Sequence, residues 1–306
     1  MGSSEKKTKI DISICICTRK RQEGLKRLLD SIENLEIPPE TDIRIIIVEN
    51  DSENFTENFI RGFSSKSKFR ISYHLEPRQG IVFARNKSVK ESGECDFCCF
   101  TDDDQIVSSD WLAELLKCQH EFNADGVAGP TKPHFTKRVP VYIENFHQPK
   151  TYPYGTIVEY AFTGCLLIRK KYLDKLSGPF DARLNFSGGE DSFLTKEITE
   201  HGGIIRFNPN AIAYEIIPEN RTTIKYVIKR KYRTSNTELL IQSIRDKDFT
   251  KIRALPRLIM RLCWGLLIII PFFIFGKEDK LKGLNKIINA AGGFAFIFGK
   301  HSRFYK

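Results

Sequence analysis

Three consecutive carboxylates, Asp102, Asp103 and Asp104, follow the apolar run that ends at Thr101. Like charges a few ångströms apart raise one another's pKa, so the triplet is costly unless something positive joins it. A divalent cation supplies that charge. An all-oxygen ligand set favours a hard ion such as Mg or Mn, which keeps some waters and completes its shell with substrate phosphates. In an extended segment Asp102 and Asp104, two residues apart, address one side while Asp103 points elsewhere. Taken alone, the triplet fits equally well a solvated turn in which Asp104 and Asp110 serve as helix caps.

Whether these groups meet others depends on the elements that carry them. Asp11 to Cys17, Ile43 to Val48, Phe69 to Leu75 and Asp96 to Thr101 read as strands. Gly24 to Ile32, Ile81 to Glu91 and Trp111 to Phe122 read as helices with apolar residues at helical spacing. Strands alternating with helices predict an α/β fold with a mostly parallel sheet. Such open sheets bind ligands beyond the carboxyl ends of their strands. Thr18-Arg19, Glu49-Asn50-Asp51 and the acidic triplet all fall there, so three chemically distinct groups should converge on one edge. The stretch 126–160, rich in Pro, aromatics and turn residues, reads as irregular with at most a short helix, forming a wall of the site. Beyond it, Phe162 to Ile168 reads as a strand, Lys170 to Leu176 as a short helix, and Glu190 to Glu200 as a helix stopped by Gly202-Gly203.

The 306 residues suffice for one large α/β domain plus an appendage. The formal charge of +10 is concentrated at one end: residues 216–306 hold 19 Lys and Arg against 6 Asp and Glu, whereas residues 1–215 hold 29 against 32. A nucleic-acid binder would spread basic charge and aromatics over its folded domain, so no nucleic-acid partner is expected. Most of the eight cysteines sit in apolar strand-like runs, and Met1 to Lys9 is polar and charged. This predicts a disordered N-terminus over residues 1–9, no secretory signal and a reducing, cytoplasmic setting. Cys95 and Cys98 form a C-x-x-C without a second pair at zinc-ligand spacing.

Two apolar runs, Leu262 to Phe275 and Ile287 to Gly299, are 14 and 13 residues long and flanked by Lys and Arg. Both fall short of the roughly 20 residues that cross a bilayer. A spanning hairpin would also leave Lys277, Lys280 and Lys282 on the far side, against the positive-inside tendency. The pattern predicts a monotopic or re-entrant anchor on an anionic surface, at the cytoplasmic face of the inner membrane. Two core helices, or two true spans, are the alternatives. The expected division is a catalytic domain over 10–235 and a basic helical segment over 236–306.

The motifs Ser13-Ile14-Cys15-Ile16-Cys17-Thr18-Arg19, Val48-Glu49-Asn50-Asp51-Ser52, Gly80-Ile81-Val82-Phe83-Ala84-Arg85-Asn86, Phe100-Thr101-Asp102-Asp103-Asp104 and Gly189-Glu190-Asp191 resemble, in this order, the family 2 glycosyltransferases that assemble bacterial polysaccharides. The likeness covers about residues 10 to 235. It implies the GT-A fold, a nucleotide-binding α/β sheet joined to an acceptor-binding half, and inversion at the anomeric carbon. It also implies a nucleotide-diphosphate sugar as donor, and a hydroxyl of a saccharide or lipid-linked saccharide as acceptor, in cell-surface polysaccharide or glycan biosynthesis. Thr18 and Arg19 match the loop closing over the nucleoside. Glu49 and Asn50 match the pair that reads base and ribose, although that pair is usually two aspartates. Arg85 and Asn86 match the segment near the diphosphate. Asp102 matches the carboxylate near the ribose, Asp104 the one that binds Mg or Mn, and Asp103 the spacer on the nucleotide side. Asp191 matches the general base, with Glu190 beside it. Thr163, Gly164, Glu190 and Trp111 fall to the sugar or acceptor pocket, and Glu215 stands where some relatives place a further metal ligand. A sugar nucleotidyltransferase would need a Gly-rich loop after the first strand, where Cys17 to Arg27 offers only Gly24. A non-enzymatic basic adaptor is the remaining alternative.

Overall fold

The computed structural model describes residues 9–246, 248–269 and 277–301. Its layering follows from the first strand, β1 (Ile10–Thr18), whose alternate residues face opposite sides. Ile12, Ile14 and Ile16 enter one core, and Cys15 enters a second on the other face. Helix α1 (Gln22–Glu33) presents Leu25, Leu28, Leu29 and Ile32, spaced as one helical stripe, to the first core. Next come β2 (Thr41–Glu49), α2 (Glu57–Ser64), β3 (Arg70–Leu75) and α3 (Ile81–Glu91). Helix α3 delivers Val82 and Val89 to the second core. After β4 (Phe97–Asp102) and β5 (Gln105–Val107), helix α4 (Trp111–Phe122) returns to the first core with Trp111, Leu112 and Leu115.

The chain continues through β6 (Gly126–Ala128), β7 (Thr131–Phe135), α5 (Val141–His147) and β8 (Thr156–Ile157). Then follow β9 (Leu166–Arg169), α6 (Lys170–Asp174), α7 (Glu190–Glu200), β10 (Ile205–Phe207) and β11 (Ala213–Ile217). The main sheet has the order β3-β2-β1-β4-β9-β6-β10-β8, and a small sheet has the order β5-β11-β7. The four strands β3, β2, β1 and β4 are mutually parallel, as the alternation predicts. Strand β9 runs antiparallel to both neighbours, β4 and β6. The expected strand over 162–168 therefore starts late: Thr163–Cys165 form a 3-10 turn instead. The stretch 126–160, expected to be irregular, supplies β6, β7 and β8, which have only 3, 5 and 2 residues. Runs so short carry too little alternation to be read from sequence.

Chain contacts divide the molecule into two units. One comprises residues up to Lys137, His147–Ala182 and Glu190–Ile217; the other comprises Arg138–Phe146, Arg183–Gly189 and residues from Pro218 on. The division thus precedes the expected limit at residue 235, which falls inside the continuous helix α8 (Ile224–Arg245). In the second unit, α8 is followed by α9 (Lys251–Ile269) and α10 (Lys277–Ile297). Among the described residues no helix is long and apolar enough to cross a membrane. The second apolar run, expected at a membrane, helps form a protein core: Phe296 is buried in a cluster with Leu239, Ala254 and Leu258. The first run extends past Ile269 into 270–275, outside the described residues, as residues 1–8 of the expected disordered N-terminus are.

Trp111 is wholly enclosed, with its indole N–H donating to Cys165 Sγ at 3.1 Å. It presents no surface to a sugar, which corrects its expected place in the acceptor pocket. Trp111→Ala should therefore act on the core, costing about 3–5 kcal/mol of stability in urea denaturation.

Candidate active site

Parallel register brings the chemistry together. Cys17 pairs with Asp102 across β1 and β4, and Thr18 pairs with Glu49 across β1 and β2. The three clusters after these strands thereby share the carboxyl edge of the sheet. Arg19 and Lys20 lie 3.3 and 3.4 Å from Asp51, closing the first loop onto the second. Arg21 crosses to the third, donating to Asp103 at 2.9 Å and to Asp104 at 3.2 Å. Sequence reading passed over Arg21, although three adjacent carboxylates imply a nearby cation and Arg19-Lys20-Arg21 opens the neighbouring loop.

The members of the triplet have different surroundings. Asp103 is buried and accepts from Thr18 Oγ1 at 2.8 Å as well as from Arg21. Burial outweighs both partners and pushes its carboxyl up to about 6. Both Thr18 and Asp103, expected at the nucleotide, thus have side chains engaged with each other. Asp102 and Asp104 keep 38% and 23% of their side chains exposed. Gln105, also unanticipated, ties the turn: its Oε1 accepts from Thr101 Oγ1 at 2.8 Å and from the Asp102 backbone N–H at 3.2 Å. Among the described residues no three His, Cys, Asp or Glu are grouped to hold a metal ion. Two partly exposed carboxylates fit a hard divalent cation that retains waters and takes phosphate oxygens, rather than a closed protein cage. Glu215 pairs in register with Gln105, one strand from the triplet.

Arg85 joins the triplet to the distant acidic pair. Its guanidinium, only 7% exposed, donates from Nη2 to Asp102 Oδ1 at 3.2 Å and from Nη1 to Glu190 Oε1. Burial raises both Glu190, to about 7, and Asp191, against the lowering effect of Arg85. The second Glu190 oxygen, Oε2, is buried without a hydrogen-bond partner, as is Thr163 Oγ1. Asp191 accepts from the Ser192 backbone N–H at 2.7 Å. Its helix follows Gly188 and Gly189, whose φ of 80° and 85° suits glycine.

Glu49 and the two asparagines hold the protein's own chain. Glu49 Oε2 accepts from Thr56 N at 2.9 Å, Thr56 Oγ1 at 2.9 Å and Tyr73 OH at 2.8 Å. Asn50 donates to the carbonyls of Glu76 and Arg78 and accepts from Gly80 N, fixing the loop that enters α3. Asn86 donates to Phe180 O at 2.8 Å and accepts from Phe180 N at 2.9 Å. The two asparagines fix the chain on both sides of Arg85, at Gly80 and at Asn86.

The family model described as Glycosyl transferase family 2 matches residues 13–177. A succinoglycan biosynthesis protein, ExoM, of Rhizobium meliloti (strain 1021) is 32% identical over 230 residues, which cover 74% of each chain. The chain belongs to glycosyl transferase family 2. Family 2 membership makes it a glycosyltransferase enzyme and sets aside the nucleotidyltransferase and adaptor readings. The GT-A fold is shared with solved structures of this class. The mannosyltransferase PcManGT from Pyrobaculum calidifontis, solved with GDP-Man and Mn2+, aligns with a TM-score of 0.65 at 14% identity, over 95% of this chain and 88% of its own. S. aureus TarS 1-349, solved with UDP-GlcNAc, aligns with a TM-score of 0.54 at 15% identity, over 96% and 93%.

Gly164 packs where a side chain would not fit: an added Cβ would lie 2.5 Å from Gln105 Nε2, 2.9 Å from Thr131 Oγ1 and 3.5 Å from Asp102 Oδ2. Gly164→Ala should displace Gln105 and, through it, Asp102. The expected result is nucleotide-sugar affinity reduced by about ten-fold or more, measured by calorimetry, on the order of a misplaced charged contact.

Proposed function

We propose that this glycosyltransferase moves a sugar from a nucleotide-diphosphate donor to a hydroxyl of a saccharide or lipid-linked saccharide, with inversion at the anomeric carbon. The observation that carries the reading is the Arg85 bridge, which brings Asp102 and Glu190-Asp191 to one centre although 88 residues separate Asp102 from Glu190. Donor and acceptor chemistry need such a junction: one carboxylate set near the leaving diphosphate, another near the attacking hydroxyl. Asp102 and Asp104 would hold a Mg or Mn ion, which when bound offsets charge developing on the diphosphate. The Mn2+ in the PcManGT structure supports a divalent cation. GDP-Man and UDP-GlcNAc in the structural neighbours support a nucleotide sugar as donor, without choosing its base. The kinship with ExoM supports a role in polysaccharide biosynthesis.

Asp191 would take the proton of the acceptor hydroxyl as its oxygen attacks. A raised pKa suits a base working near neutrality. Glu190, pressed against Arg85, holds the guanidinium towards Asp102 and keeps a second carboxyl beside the base. Arg85, held between Asp102 and Glu190, would offset negative charge developing beside them.

Two variants separate the two roles. Asp191→Asn should reduce transfer by about 1,000-fold, within the range for loss of general acid–base catalysis, while thermal shifts with nucleotide sugar and Mn stay close to wild type. Asp104→Ala should instead abolish the metal-dependent part of the thermal shift. Transfer by Asp191→Asn within a few-fold of wild type would overturn the assignment of the base, and an unchanged metal-dependent shift in Asp104→Ala would overturn that of the metal.

The pair also predicts a pH profile. Glu190 and Asp191 titrate as a unit, so transfer by the wild type should fall as pH drops and the pair takes up protons. Glu190→Gln removes a neighbouring negative charge, which lowers the pKa of Asp191. The acid limb of kcat should therefore move to lower pH, read from rates measured across the neutral and acidic range.

A further inference from the structure

We infer that helix α9 binds the surface of an anionic lipid bilayer, lying flat with one apolar face in the interface. This inference is independent of the proposed chemistry, since it rests on the second unit alone. With 3.6 residues per turn, Ile252, Ile259, Met260, Trp264, Leu266 and Leu267 fall within an arc of about 160°. All six are exposed, Ile252 at 74%, Met260 at 64% and Leu267 at 59%. The opposite side of the same helix is used inside the protein, where Ala254 and Leu258 are buried in the cluster with Leu239 and Phe296. The helix thus has two apolar faces, one covered by α8 and α10 and one facing outward.

Charge selects the occupant. Arg253 and Arg257 are exposed and follow the outer apolar arc on one edge, with Trp264 between them on the helical projection. Lys251 is exposed at the helix start, and residues 216–306 carry 13 more basic than acidic side chains. A second copy would bring the same cations against each other. An anionic surface accepts both features: apolar side chains enter the acyl boundary, arginines meet lipid phosphates, and tryptophan occupies the boundary between them. No helix among the described residues is long and apolar enough to cross a bilayer, so a surface-lying mode needs no spanning element from them.

The chain carries its own reporter. It has two tryptophans, of which Trp111 is fully buried and Trp264 is 56% exposed. Adding phosphatidylcholine vesicles containing phosphatidylglycerol to the full chain should shift Trp264 emission to the blue. Vesicles of phosphatidylcholine alone should produce a much smaller shift, and Trp264→Phe should remove the signal. In vesicle flotation, Arg253→Gln and Arg257→Gln should each weaken partitioning about five-fold, the effect of one basic residue near a charged surface. Met260→Glu combined with Leu267→Glu should abolish flotation while leaving the melting temperature unchanged, because both side chains are outside the core. Absence of a shift on anionic vesicles, or equal binding to neutral ones, would overturn the inference. A lipid-free blue shift that grows with protein concentration, accompanied by a dimer in sedimentation, would assign the face to a second copy instead.

Discussion

The active edge of the molecule depends on one buried guanidinium. Removing Arg85 from water costs several kcal/mol unless its charge is paired and its N–H groups are satisfied. Asp102 and Glu190 meet that requirement from elements far apart in sequence. The dependence is mutual, because Glu190 is itself buried and held by the same ion pair. Arg85 carries a single positive charge for two bonded carboxylates, with Asp191 close by. Negative potential therefore persists at the centre, and burial keeps Glu190 and Asp191 poised towards protonation. Such a surplus of carboxylates favours positive charge nearby.

Around this bridge, polar side chains act mainly as fasteners. Asn50 fixes the loop before α3, and Asn86 grips both backbone groups of Phe180 in the manner of a strand pair. Gln105 pins the turn that presents Asp102. The two asparagines each use an amide's paired donor and acceptor to hold backbone at a fixed distance, a task for which a carboxylate lacks the donor. Neutral side chains thus fix the backbone around Arg85, while the ion pairs with Asp102 and Glu190 orient its guanidinium.

The parallel half of the sheet was legible because apolar strands alternate with helices, of which α1 and α4 carry an apolar stripe, whereas the short helix α2 was not read from the sequence. Helices α3, α4 and α7 begin and end where the sequence places them. The triplet and the Glu190-Asp191 pair were legible through charge clustering and motif order. Less legible were features set by tertiary contact alone. The reversal of β9, the short strands between residues 126 and 157, and the enclosure of Trp111 leave little local trace. Arg21 escaped notice because its meaning comes from Asp103 and Asp104, residues on another strand. The continuity of α8 escaped because its basic residues resemble a boundary in composition although the backbone is uninterrupted.

Glu49 has a consequence for how such an enzyme can diversify. Its carboxylate ties β2 to the start of α2 and to Tyr73 on β3, so a change there perturbs three elements at once. Asp51, two residues on, is itself buried but is held by Arg19 and Lys20, whose side chains are 39% and 53% exposed. Substitution at position 49 must therefore preserve three hydrogen bonds at once, whereas a change at position 51 is answered at positions 19 and 20.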